Sequence, residues 1–212
     1  MTLPEQDRNA DQYVPVMSSS LQKFYFVQEH GDRVAEVFDI ALADWGVASW
    51  TTNHLDPIIQ PDIFRAPEVT IAAPWDTSTD LWNLGPVLFE IHLARRMFYG
   101  QSTQAESYNA KLHLWEIANF FGHFPKSLLT KGDQDLVKKY FNEEGEIEGF
   151  SHLGPFPPLE SVSWMAGLDE KEREIFGSFL RAMMKIDPAE RPSIKELLQH
   201  PWLHADDVAS QL

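Results

Sequence analysis

Several residues in this sequence have a type and a setting suited to chemistry. Asp44 comes first, in Leu42-Ala43-Asp44-Trp45-Gly46, at the end of the apolar run Val37 to Ala43. A strand that ends on an acid, an aromatic and a glycine is one way to place a hard oxygen ligand beside a nucleotide's metal ion; an ordinary turn is the other reading. Asp80, ahead of Leu81-Trp82-Asn83-Leu84-Gly85, opens an apolar helix, where a carboxylate also suits the positive end of the helix dipole. Ser49, Thr51 and Thr52 are candidate phosphoacceptors, but no Arg cluster stands nearby to receive a phosphate, so surface hydroxyls are the competing reading. Glu143, Glu144, Glu146 and Glu148 form an acidic cluster fit either for a basic ligand or simply for water. The eight His show no metal-ligand spacing such as His-Glu-x-x-His, and there is no Cys; no zinc site is expected.

The elements that must position these groups change character along the chain. Phe24 to Val27 and Val37 to Ala43 read as two strands of a small sheet, separated by the turn-like Glu29-His30-Gly31-Asp32. From Trp50 to Pro74, four prolines and no periodicity predict an extended loop with at most a short turn of helix. Helices follow. Thr77-Ser78-Thr79 offers N-cap hydroxyls for a helix to about Arg96, so apolar on nearly every side that protein must enclose it, with Pro86 expected to kink it. Residues 105 to 121 read as a second helix ended by Gly122, and Lys126 to Thr130 as one turn behind Pro125. Tyr140 to Ile147 reads as a small hairpin around Glu144-Gly145, and residues 154 to 158 as a rigid Gly-Pro loop. Asp169 with Glu172, and Ser193 with Glu196, are capping boxes that open two more helices. The first buries Phe176, Phe179, Leu180, Met183 and Met184; the second stops before Pro201. No internal repeat or low-complexity tract is present. The expected class is mainly α with a small β element.

Composition narrows the function. A chain of 212 residues with 43% apolar side chains can bury a real core. Its 17 Lys and Arg against 32 Asp and Glu give a net charge of −15, which repels nucleic-acid phosphate and anionic lipid and favours basic protein partners. The polar start lacks a signal peptide and no apolar run reaches about 18 residues, so a soluble intracellular protein, cytoplasmic or nuclear, is expected.

Read in order, Asp44-Trp45-Gly46, Ala66-Pro67-Glu68, Asp80 to Gly85, Asp187-Pro188-Ala189-Glu190-Arg191-Pro192 and His200-Pro201-Trp202-Leu203 resemble the C-terminal lobe of eukaryotic protein kinases. Ile59-Gln60-Pro61-Asp62-Ile63-Phe64-Arg65-Ala66-Pro67-Glu68, Pro74-Trp75-Asp76 and Lys139 to Gly145 are similar to SR protein kinases, especially their fungal group. The resemblance spans about Val37 to His204. It implies a remnant at 1–36, an activation segment at 44–68, a helical subdomain at 77–204 and a tail at 205–212. It further implies that Asp44 is the ligand of magnesium on ATP and that Glu68 and Arg191 pair in the core. Asp80 would accept hydrogen bonds from a catalytic loop, and the substrates would be proteins, Arg/Ser-rich ones included.

The departures are as informative. Phosphoryl transfer needs a Gly-rich loop, a Lys held by a helical Glu, and a catalytic-loop Asp and Asn beside the magnesium Asp. Only the magnesium Asp is found, so no catalytic residue is assigned. His54-Leu55-Asp56 lies after Asp44 and lacks the Lys and Asn of a catalytic loop; it reads as loop. Trp45 replaces the usual Phe, and Pro61 replaces a Thr that bonds the catalytic Asp in many of these kinases. The expectation is a partial domain, inactive and without bound ATP or magnesium on its own, with Met1 falling where an internal methionine of a longer kinase would lie. The alternative is a kinase-derived interaction module working through its activation segment and the 105–121 helix.

Overall fold

The long central helix shows how local chemistry sets the frame. Asp76 Oδ1 accepts from Ser78 N at 2.8 Å while the Thr79 hydroxyl donates to Asp76 O at 2.8 Å, starting a helix over Ser78–Leu93. Thr77 holds the N-cap position as expected but its hydroxyl makes no cap bond; Asp76, one residue earlier, supplies the acceptor with a short side chain that reaches forward to Ser78 N. The computed structural model describes residues 48–101, 107–154 and 156–204, all within the unit Gly46–Leu212. The two expected strands and the Asp44-Trp45-Gly46 motif lie outside the described residues.

Seven α-helices occur among the described residues: α1 Pro67–Thr70, α2 Ser78–Leu93, α3 Ala110–Phe121, α4 Lys126–Leu129, α5 Gln134–Tyr140, α6 Glu170–Met183 and α7 Ile194–Leu197. Short 3₁₀ turns stand at Asp62–Phe64, Ser151–Leu153, Pro188–Glu190 and Pro201–His204. The only β pairing described is an isolated bridge between Trp50 and Asn53. The fold is mainly α.

Helix α2 buries Thr79, Trp82, Gly85, Pro86 and Phe89. Met184, beyond the end of α6, fills the space where Gly85 would carry a Cβ, so the two helices meet closely. Burying Trp82 and Phe89 fully contributes about 2–3 kcal/mol each by apolar area. The expectation of full enclosure fails on the opposite side: Leu84 and Ile91 are 44% and 76% exposed, because α6 and its neighbours cover only one face. The helix also ends sooner than Arg96. Ala94 adopts φ 50, which breaks the ladder, and Arg95 turns away to donate to Ser163 O and lie 4.4 Å over the Trp164 ring.

Helix α3 begins at Ala110, later than residue 105, where Asn109 Oδ1 accepts from Leu112 N at 3.1 Å, and it ends at Gly122 with φ 98. Helix α5 was not anticipated; Asp133 Oδ1 caps it by accepting from Asp135 N and Leu136 N. It takes Tyr140 out of the expected hairpin. What remains is a closed turn in which Asn142 N donates to Glu146 O at 2.9 Å and Asn142 Oδ1 accepts from Glu146 N at 2.8 Å, the side chain standing in for a second ladder bond. Both capping boxes, Asp169 with Glu172 and Ser193 with Glu196, are formed. The buried stripe of α6, Phe176, Phe179, Leu180 and Met183, joins Trp82, Phe98, Ile117 and Leu159 in one core.

Candidate functional site

Two fully buried charges meet between two short elements. Helix α1 starts with Pro67 at N1, which needs no N–H, and carries Glu68 in its first turn. Arg191 follows the 3₁₀ turn Pro188–Glu190, itself capped by Asp187 Oδ1 accepting from Ala189 N at 3.0 Å. Arg191 Nη1 and Nη2 donate to Glu68 Oε1 and Oε2 at 2.6 and 2.8 Å, and both side chains are fully buried. The fork also donates from Nε to Lys185 O at 2.9 Å and from Nη1 to Ser78 O at 3.0 Å, and lies 5.3 Å over the Trp82 ring. A planar guanidinium can serve two carboxylate oxygens and two carbonyls at once; an ammonium cannot. The pair therefore ties α1, the first turn of α2 and the approach to α7 into one body.

The segment ahead of α1 is held by two residues that sequence reasoning quoted but gave no role. Gln60, at φ 68, accepts from Ala66 N at 2.9 Å and donates to Thr79 O at 2.8 Å. Arg65 donates from Nε to Ile59 O and from Nη2 to Gln60 O, and its Nη2 lies 2.8 Å from Asp62 Oδ1. Gln60 takes part in this lacing from a left-handed backbone, which nothing in the sequence pattern signals. Pro61 leads into the turn Asp62–Phe64, and buried Ala66 and Pro67 carry the chain into α1.

The other expected residues are dispersed. Asp80 lies in the first turn of α2, its carboxylate making no hydrogen bond or ion pair with the described residues. Partial burial of that carboxyl raises its pKa above the usual range, although the residue as a whole is exposed. His54 stacks on Trp75 at 3.6 Å, and Asp56 accepts from Ile58 N, which fixes His54-Leu55-Asp56 as loop. Thr51 and Thr52 are exposed and Ser49 Oγ accepts from Leu55 N. Glu143, Glu144, Glu146 and Glu148 all face water. Among the described residues no group of three or more His, Asp or Glu side chains is placed to hold a metal.

A family model described as "Protein kinase domain" matches residues 26–203. The chain belongs to the protein kinase family. This kinase chain is 29% identical to the serine/threonine-protein kinase SRPK of Physarum polycephalum over 81% of its own length, and 34% identical to a serine/threonine protein kinase of Aspergillus fumigatus over 77%. It spans about 40% of the length of each of those relatives. It is also 28% identical to SKY1 of Saccharomyces cerevisiae, covering 92% of this chain and 26% of that protein. Its fold matches a kinase-domain crystal structure with a TM-score of 0.61 at 27% identity, over 76% of this chain and 46% of the other. The described residues correspond to the helical C-terminal lobe of that fold.

Proposed function

We propose that this kinase chain is the large-lobe part of an SR-protein-kinase-like serine/threonine kinase, which transfers the γ-phosphoryl group of ATP to protein Ser or Thr in the complete enzyme. The bidentate Glu68–Arg191 pair carries the reading, because it fastens the end of the segment at 44–68 to the helical subdomain at 77–204. Asp44 is assigned to magnesium; a single carboxylate suits this hard cation but supplies only a fraction of the oxygen ligands it needs. Asp80, in the first turn of α2, is assigned to hold a catalytic loop. The absence from this chain of a Gly-rich loop, an ATP-anchoring Lys and a catalytic Asp and Asn supports the reading that it is inactive alone. The net charge of −15 and the exposed glutamates at 143–148 favour basic, Arg/Ser-rich substrates, and the family likeness favours a cytoplasmic or nuclear setting.

The test is phosphorylation of an Arg/Ser-rich peptide by the longest polypeptide expressed from the coding region that includes this chain. Activity that disappears with Asp44→Ala is expected; activity that survives the substitution overturns the magnesium assignment. The 212-residue chain should show no thermal shift at millimolar Mg-ATP. A second reading, a non-catalytic kinase-derived interaction module, is favoured by Trp50, Leu55 and Ile58, which stand 74%, 69% and 65% exposed in the 48–58 segment. Full-length product with no phosphoryl transfer would select it.

A further inference from the structure

The loop at 48–58 holds large apolar side chains out on a closed backbone. Among the described residues, three of the four most exposed large apolar side chains, those of Trp50, Leu55 and Ile58, fall in this one loop. The backbone beneath them is fixed. Asn53 N donates to Trp50 O at 3.2 Å beside an antiparallel bridge, Leu55 N donates to Ser49 Oγ at 3.1 Å, and Ile58 N donates to Asp56 Oδ1 at 2.8 Å. His54 stacks on Trp75 with ring planes 5° apart, and Trp75 packs against the core. The histidine, and not the leucine beside it, rests on the protein. A loop held in this way has already lost much of the freedom that binding would otherwise remove.

Charge narrows what such a loop can meet. Residues 48–80 contain no Lys and a single Arg, Arg65, which is engaged by Asp62 and by two carbonyls. Asp56, Asp62, Asp76 and Asp80 are exposed in the same stretch, while Glu68 is paired with Arg191 in the core. The stack of His54 on Trp75 brings the loop beside Asp76, and Gln60 Nε2, donating to Thr79 O at 2.8 Å, holds the loop's far end at the first turn of α2. The apolar side chains are therefore edged by carboxylates, with no unpaired Lys or Arg in these residues. A second copy of the chain, also at −15, brings the same sign to this face and is repelled. An Arg/Ser repeat matches the charge but has no large apolar side chain to cover Trp50, Leu55 and Ile58.

We propose that the 48–58 loop is a docking surface for a basic amphipathic helix of a partner protein, one that carries large apolar side chains along one face and Lys or Arg beside them. Trp50, Leu55 and Ile58 form the apolar centre of the contact, and Asp56, Asp62 and Asp76 form its charged rim. A helix suits the surface because it presents both kinds of side chain on one side at a fixed spacing. The partner differs from an Arg/Ser-rich substrate in its apolar anchors. The surface uses neither Asp44 nor the Glu68–Arg191 pair, so the inference goes beyond phosphoryl transfer and holds for a catalytic and for a non-catalytic chain alike.

The test is fluorescence anisotropy of a labelled Leu/Lys amphipathic peptide of about 18 residues, about five helical turns, titrated with the full chain. Saturable binding is expected. It should weaken about tenfold or more when Trp50→Ser, Leu55→Ser and Ile58→Ser are combined, and less with Asp56→Asn, which should also flatten the salt dependence. An Arg/Ser repeat peptide of the same length and charge should bind at least about tenfold more weakly than the Leu/Lys peptide. The three serine positions are exposed, so a circular-dichroism melt should find the triple variant folded; if it does not, Leu55→Ser alone carries the test, with a smaller loss in the same direction. Undiminished binding by the variant overturns the proposal. So does equal affinity for the Arg/Ser repeat or for a Leu/Glu peptide with the same apolar face, and so does self-association of the wild-type chain that the triple substitution abolishes.

Discussion

Glu68 and Glu116 lie in one helical core, both nearly inaccessible to water, yet they are satisfied in different ways. Glu68 meets a guanidinium that serves both of its oxygens, and that guanidinium is in turn held by two carbonyls and an aromatic face. Glu116 meets two backbone N–H groups through one oxygen and, among the described residues, no cation within ion-pair distance. Burial without a counter-charge raises the Glu116 carboxyl to about 7, while the two N–H donors pull the other way. One carboxyl is thus held by a counter-charge and the other by neutral backbone donors, although both begin with the same residue type.

The comparison breaks most sharply at Arg191. Arg191→Met leaves Glu68 alone in the core and is expected to cost about 3–5 kcal/mol, measured by urea denaturation. Glu68→Leu in the same background should recover much of that loss, since an apolar pair of similar volume carries no orphan charge. Failure of the double variant to recover would show that the pair's hydrogen bonds to Ser78 and Lys185 matter more than its charge.

Glu116→Gln sharpens the contrast from the other side. Wild-type stability should fall as pH rises from about 4.5 to about 7, because the folded state binds the Glu116 proton more tightly, and the variant should lose that slope. At pH 8 the variant should be more stable, by at most about 3 kcal/mol, and near pH 4.5 the two should coincide. Thermal melts at the two pH values check this.

The smallest effect is expected at the half-exposed pair of Asp62 with Arg65. Asp62→Ala should cost less than about 1 kcal/mol, and the difference should shrink in 1 M salt, because water and ions already screen an exposed partner. A loss as large as that at Arg191 would mean that the lacing of residues 59–66 depends on Asp62 and not on the Arg65 bonds to Ile59 and Gln60.

How much of this was legible depended on the distance over which each interaction acts. The two capping boxes could be read directly, because a Ser or Asp and a Glu three residues later contain all the atoms involved. Gly122 marked the end of α3 for the same reason. Helix α5 was missed although Asp133 offered a cap, since Gly145 and the glutamates beside it gave a competing turn signal. Ala94 was missed as the end of α2 because an alanine carries no preference for the left-handed backbone it adopts. The functional residues followed the same division: Glu68 and Arg191 were reached through motif order, whereas Gln60 and Arg65 had no motif role to mark them.

From sequence alone came the mainly helical class, the cap chemistry, the kinase resemblance and the acidic balance, all of which depend on residue types and near neighbours. Tertiary structure alone decided which face of α2 is covered, that Gln60 adopts a left-handed conformation, and that one buried glutamate meets a guanidinium while another meets two backbone N–H groups. The physical reason is that a carboxyl's burial and partners are set by residues 16 to 123 positions away, and no local pattern encodes what packs there.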